Sequence, residues 1–416
     1  MPAESSSSRP CTPAPGPGAP ITTSRYRPIE ATEHQKVAQL MVLGLMVGAK
    51  VDEYVERTTP DEFRVLEADG EITSLLRLDR QPQWWLGRAL PSAQVLQLAT
   101  PPQHRGAGHG GRLLAGLLEE LHGDGVPLAT LTPSTFPFYR GAGFEVAGSW
   151  TVYEARAEHL PKRTDPYRAR PVSLDDPSEL AAVYRLVAPS RHGAFDRGER
   201  FWRQLAWRAR DKTTAAFVLD GPDGPAGWAV ATLEFRDDPA PFQTRVAVAD
   251  WGCLPGADAA LFALFAGYAS MNGLVTWSGP DPDPAALFAL RDRFARLVDR
   301  WHWMLRVVDL RAALEARPWP TGLAGQVAFG VDDPVCPWNS GAWRLELAGG
   351  HGRVEPASGP DPAATADVRG LASLFTGFAG PDDLLRAGLL AGLGPDDLDL
   401  LRAAFASPRP WTAEFY

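Results

Sequence analysis

Three cysteines in 416 residues, Cys11, Cys253 and Cys336, are too few and too scattered for a disulfide framework or a zinc site. Such a set suits a reducing compartment. Long apolar runs are missing too. A bilayer crossing needs about 18–20 apolar residues, and the longest candidate, VAQLMVLGLMVGAK, is short and interrupted by glycine. Residues 1–26, MPAESSSSRPCTPAPGPGAPITTSRY, lack the basic start and apolar middle of a secretory signal. Proline, serine, glycine and alanine dominate there, which reads as a disordered tail. Cationic excess is also missing: Lys+Arg total 41 against 50 Asp+Glu, a formal net charge of -9. That balance argues against a nucleic-acid surface and favours cationic small-molecule partners. The expectation is a cytoplasmic protein with neither membrane nor nucleic acid as partner.

What is present is apolar bulk, 45% hydrophobic residues with 14 Trp, on a chain long enough for two or three domains. EHQKVAQLMVLGLMVG reads as a helix, and FRVLEADGEITSLLRLDR as two strands around the turn Asp69-Gly70. SAQVLQLAT is a strand, followed by a glycine-rich loop. Leu113, Leu114, Leu117, Leu118 and Leu121 then recur at helical spacing up to Gly123. PLATLT and WTVYEAR return as strands, so residues 27–157 read as an α/β domain. After a linker in 158–171, helices, a strand pair around DGPDG, the strand TRVAVADWGCL and the helix DAALFALFAGYASMNG repeat that order. The span 158–300 is thus a second copy of the architecture. Only PGADAA stands where the copy's glycine loop belongs. Residues 301–416 change texture, with strands followed by helices behind acidic starts. Asp382-Asp383 and Asp396-Asp397 are helix-start residues there rather than metal ligands, and no metal site is expected.

The loop QHRGAGHGGRLL fits two nucleotide fingerprints. G-x-G-x-x-G runs through Gly106, Gly108 and Gly111, and R-x-x-G-x-G through Arg105, Gly108 and Gly110. A dinucleotide fold needs an acidic residue for the ribose about 20 positions on, and PLATLTPS has none. An acyl-coenzyme A site needs other things. Arg105 supplies a cation for the diphosphate, and the glycines open backbone N–H groups at a helix start. The preceding strand can pair with the amide-rich pantetheine arm, and Tyr139 lies downstream in Y-x-x-x-G-F to protonate a leaving thiolate. His104 and His109 flank the loop in positions that more often face solvent. Glu414 can hold a cationic amine or stand in solvent, and the aromatic ending WTAEFY points to docking in a cleft rather than fraying.

On these residues the chain resembles the GCN5-related N-acetyltransferases (GNAT), and more closely their enhanced-intracellular-survival (Eis) family. PPQHRGAGHGGRLL is similar to its P-x-H-R-x-x-G loop, and PLATLTPSTFPFYRGAGF to its strand, Pro-Ser and tyrosine segment. WHWMLRVVDLRAALEARPW resembles its hinge into the last domain, and PWTAEFY its terminus. The resemblance implies tandem GNAT folds, the second degenerate, then a sterol-carrier-protein-like α+β domain. It implies acetyl-CoA as donor, bound by Leu98, Ala99 and Thr100 of the strand. The loop Arg105, Gly106, Ala107, Gly108, His109, Gly110 and Gly111 takes the diphosphate, with Ser134 and Thr135 as a second contact. Tyr139 is then the general acid and the main-chain carboxylate of Tyr416 the base. Direct transfer to a primary amine of an aminoglycoside-like, polyamine-like or basic-peptide acceptor follows, in a homo-oligomer, a hexamer by resemblance. Gly106 and Ala107 stand where the family is richer in arginine, RGAGF replaces G-R-[FY]-G, and Tyr416 replaces the commoner Phe. A narrow-substrate biosynthetic acyltransferase and a non-catalytic acyl-CoA or lipid-binding scaffold are the alternative readings.

Overall fold

The structure, a computed structural model, describes residues 24–45, 50–162, 166–210, 213–235, 244–271, 273–291, 295–359 and 362–414. The expected tail therefore lies outside the described residues, except for 24–26, which are already strand. The first unit comprises β1 (Ser24–Pro28), α1 (His34–Leu45), α2 (Val51–Glu56), β2 (Phe63–Ala68) and β3 (Glu71–Arg80). It continues through β4 (Gln83–Trp85), β5 (Arg88–Leu90), β6 (Ser92–Ala99), α3 (His109–Gly123), β7 (Leu128–Leu131), α4 (Phe136–Arg140) and β8 (Glu145–Arg156). The second holds β9 (Arg168–Val172), α5 (Ser178–Val187), α6 (Glu199–Ala209), β10 (Thr213–Gly221), β11 (Gly224–Phe235) and β12 (Thr244–Cys253). It ends with α7 (Asp258–Ala266), β13 (Leu274–Gly279), α8 (Pro284–Ala289) and β14 (Arg296–Val307). The third contains α9 (Leu310–Ala316), β15 (Gly325–Asp332), β16 (Gly341–Ala348), β17 (His351–Pro356) and β18 (Thr365–Asp367). After these come α10 (Val368–Thr376), α11 (Pro381–Arg386), β19 (Leu390–Ala391) and α12 (Pro395–Ala404).

Local chemistry sets these elements where the sequence placed them. Asp69 and Gly70 take φ of 53° and 77°, the pair of positive angles that a tight hairpin requires. All five leucines of α3 are fully buried, each worth roughly 1.5–3 kcal/mol by removal from water. They pack with Leu76, Leu78, Val95 and Leu131 on one face of the sheet, while α1 and α2 cover the other around Val37, Met41, Phe63 and Leu75.

Apart from β4 and β5, which pair as a separate hairpin, the strands of both units form one 12-stranded sheet in the order β1-β2-β3-β6-β7-β14-β8-β13-β12-β11-β10-β9. Its centre is an exchange. β14, the last strand of the second unit by sequence, lies between β7 and β8 of the first and is antiparallel to both. β8 in turn lies beside β13 of the second unit. The boundary expected between residues 300 and 301 thus falls inside one continuous strand, and WHWMLRVV is shared sheet rather than hinge. The third domain adds a five-stranded sheet, β17-β16-β15-β18-β19, and shares one apolar core with Leu128, Trp303 and Leu305 of the large sheet and Trp85 of the β4–β5 hairpin.

Candidate active site

β6 and β7 pair in parallel from Ser92↔Leu128 to Val95↔Leu131 and then part. β3 keeps pairing with the other edge of β6 as far as Leu75↔Ala99, with a bulge that skips Leu96. Leu96 to Ala99 therefore present an edge that no strand covers among the described pairings. That edge offers N–H and C=O groups to an extended, amide-bearing ligand. Leu98 faces the α3 side with Tyr139, whereas Gln97 points to the α2 side, where the Tyr54 hydroxyl donates to its Oε1. Neither Gln97 nor Tyr54 carries a motif that sequence reading could have flagged.

The glycine loop opens α3 as expected. Gly106 and Gly108 take φ of 83° and 76°, with Gly108 as the residue capping the helix start. A side-chain carbon added at Gly106 or Gly111 would meet nothing within 4 Å, so their backbone is open to a ligand. Arg105 is built into the wall: its Nε donates to the Thr100 carbonyl at 3.0 Å and its Nη2 to that of Gly44 at 3.3 Å. Arg112 donates to the Ala107 carbonyl at 2.7 Å, bracing the turn. The structure corrects the solvent-facing expectation for His109, which is buried in the first turn of α3. Burial foremost, then Arg112, lowers its pKa, so the ring is neutral, and its Nδ1 lacks a hydrogen-bond partner among the described residues. An orphan polar atom, free helix N–H groups and open glycines together fit an anionic coenzyme head group.

Tyr139 sits in α4, a short helix between β7 and β8. The spacing Y-x-x-x-G-F is the stop signal of that helix. The N–H groups of Ala142 and Phe144 both donate to the Tyr139 carbonyl, at 3.0 and 3.1 Å, and Gly143 takes φ of 80°. Only glycine fits there, because an added carbon would lie 2.9 Å from the Arg306 guanidinium of β14. Arg306 is fully buried and paired with Asp333, so strand exchange and the third domain both brace the turn that carries Tyr139. Burial raises the Tyr139 pKa, partly opposed by the Ser134 hydroxyl bonded to it, and the phenol is protonated at neutral pH. Ser134 and Thr135 lie exposed between β7 and α4.

Tyr416 lies outside the described residues, but the chain leading to it is docked. Trp411 forms a parallel bridge to Ser149 of β8, and its N–H donates to the His192 carbonyl at 3.1 Å. Glu414 neither stands in solvent nor is free for an amine, because it accepts from Arg197 Nε at 2.6 Å. Ser149 lies three residues along β8 from Val146, which shares its partner Met304 with Leu131, the last residue of β7. At about 3.3 Å per residue the tail arrives roughly 10 Å beyond the point where β6 and β7 part.

The second unit repeats the parting. β12 and β13 pair from Arg245↔Leu274 to Val248↔Trp277, and β12 then bulges and runs on along β11. Here the gap is filled. The indole of Trp251, itself buried, donates to the Ser278 carbonyl at 2.7 Å across it. At the start of α7 stands Asp258, a charge that repels phosphate where α3 has none.

Among the described residues no group of three or more His, Cys, Asp or Glu side chains could hold a metal ion, and no helix is long and apolar enough to cross a membrane.

Comparison with known proteins agrees with this division. Residues 25–147 and 193–307 each match a family model described as an acetyltransferase (GNAT) domain, and residues 310–413 match a sterol carrier protein domain. An uncharacterized N-acetyltransferase of Streptomyces avermitilis is 28% identical over 338 residues, covering 78% of this chain and 82% of that protein. A GCN5-related N-acetyltransferase from Anabaena variabilis is 27% identical in its crystal structure, with a TM-score of 0.88, covering 95% of this chain and 100% of that one. Eis1 from Mycobacterium abscessus shares the fold at 20% identity and a TM-score of 0.79, with 95% and 100% covered.

Proposed function

We propose that this chain, an Eis-like acyltransferase with two GNAT units and a sterol-carrier domain, acetylates a primary amine at the open slot of its first unit. The acceptor class is a cationic small molecule, aminoglycoside- or polyamine-like, or a basic peptide, in keeping with the net charge of -9. The GNAT fold implies acetyl-CoA as donor. Its pantetheine would lie along Leu98, Ala99 and Thr100, its diphosphate against Arg105 to Gly111 and the start of α3, with Ser134 and Thr135 beside the arm. The observation that carries this reading is the parting of β6 and β7 directly ahead of the glycine-opened helix, with Tyr139 on the α3 side.

The chain's own groups divide the chemistry. A buried, protonated tyrosine gives its proton to the departing thiolate. The open N–H groups of β6 polarise the thioester carbonyl. The amine must lose a proton before it attacks, and the terminal carboxylate of Tyr416 takes it, through a water where the distance requires one. Assembly is as a homo-oligomer, a hexamer by resemblance, and the cytoplasm is the compartment. A lipid-binding scaffold is less well supported. The cavity of the third domain, lined by Val327, Phe329, Leu345, Leu374, Leu401 and Phe405, measures ≈ 20 Å³, about one water-sized sphere rather than an acyl chain.

Adding a single alanine after Tyr416 moves the carboxylate by one residue. Turnover should fall at least 100-fold with acetyl-CoA affinity unchanged, read by thiol release and calorimetry. Wild-type turnover in that variant rules out the base assignment. The same assay over a panel of amines, with product masses, identifies the acceptor.

A further inference from the structure

We infer that the second GNAT unit, its own slot filled, serves as the dock for the chain terminus, and that Arg197 and Glu414 are positioning residues for transfer in the first unit. The positioning role rests on the reading of Tyr416 as base; the dock itself does not.

Arg197 has a side chain only 1% exposed. It meets Asp250 at 2.8 and 2.9 Å through both terminal nitrogens, and its Nε donates to Glu414 at 2.6 Å. The rings of Phe201 and Tyr184 lie 3.8 and 4.1 Å from its guanidinium carbon. Asp250 comes from β12, at the bulge that in the first unit precedes the coenzyme edge, and it also accepts from Trp228 at 2.8 Å. A cation this deep needs its carboxylates, and a carboxylate at the end of a chain would ordinarily stay in water. The tail enters this site because Arg197 holds it.

Three further contacts fix the path. Arg191 lies 4.9 Å from the Trp411 ring and 5.2 and 5.3 Å from those of Trp228 and Trp251. The Trp411 ring packs on Trp251, the residue that fills the second unit's gap, at 6.4 Å. Gly193, with φ of 101°, admits the tail backbone: an added carbon would lie 3.0 Å from the Trp411 carbonyl. With Glu414 held, the two residues after it can span at most about 7 Å, so the dock confines where Tyr416 can reach. Asp250 at the second unit's bulge, through Arg197, and Trp251 in its gap thus grip the tail.

The test uses the full chain with Glu414→Gln and Glu414→Lys, variants at the tail that leave the folded body intact. Timed carboxypeptidase digestion reads docking, and steady-state kinetics read positioning. Wild type should release residues slowly, Glu414→Gln at least tenfold faster and Glu414→Lys faster still. The kcat should fall in the same order, tenfold or more, with KM for acetyl-CoA unchanged and Glu414→Asp partly restoring it. Wild-type protection in both substitutions overturns the dock. Fast digestion with wild-type kcat overturns the positioning role. If the alanine-extended chain stays fully active while Glu414→Lys still frees the tail, the base reading fails and the dock stands.

Discussion

The two GNAT units differ at one decisive place. Both carry a bulged strand that parts from its parallel neighbour, β6 from β7 and β12 from β13. In the first, the gap stays open beside a helix that begins with glycines at positive φ. In the second, a tryptophan bonds across it and an aspartate heads the next helix. The parted backbone is therefore shared by both units, and what separates them is one indole across the gap and one carboxylate at the helix start.

The sharpest break in the comparison is chemical. Tyr139→Phe keeps the packing against Phe138 and Phe144 and removes only the proton donor. The kcat should fall about 10²–10⁴-fold while calorimetry still finds one coenzyme per chain; unchanged turnover would end the acid assignment. Next in size is Trp251→Ala, which empties the second unit's gap and should cost about 3–5 kcal/mol in denaturant unfolding. It should not create a second coenzyme site, because Asp258 remains, and two sites per chain by calorimetry would refute the account of degeneracy given above.

The smallest effect belongs to the seam between the units. His192 accepts from the Leu86 N–H through Nδ1 and donates through Nε2 to the Thr376 carbonyl at 2.8 Å, so one ring ties all three domains. Burial pushes its pKa down from 6.5 to about 4, so the folded protein holds it neutral where the unfolded chain would protonate it. Its contribution is complete above pH 6.5 and is lost as pH falls towards 4, at most about 3 kcal/mol in all. Urea midpoints between pH 7 and 4.5 should drop for the wild type and drop less for His192→Gln. Equal slopes would remove His192 as the cause.

Much of the first unit was legible because its signals are local. The turn Asp69-Gly70, the spacing of the five leucines and the glycines that open α3 each announce their element within a few residues of themselves. The role of Tyr139 is half legible: its spacing to Gly143-Phe144 records a helix stop, and the reason for that glycine, Arg306, comes from a distant strand. β14 shows the limit. Its residues announce a strand, but nothing in RLVDRWHWMLRV says which neighbours it will have, because both edges are completed by another unit. Trp251 likewise reads as core apolar mass. Its indole N–H has a functional consequence only once Ser278 faces it.

The crossing of β14 into the first unit also imposes an order on manufacture. A ribosome delivers the glycine loop and Tyr139 early, but β7 and β8 lack their shared neighbour until residue 307 has emerged, and Trp411, which bridges to β8, follows later still. Through that interval the nascent chain must shelter two bare strand edges. A chain halted before residue 307 therefore holds β7 and β8 without the strand that joins them, even though the glycine loop and Tyr139 are already present.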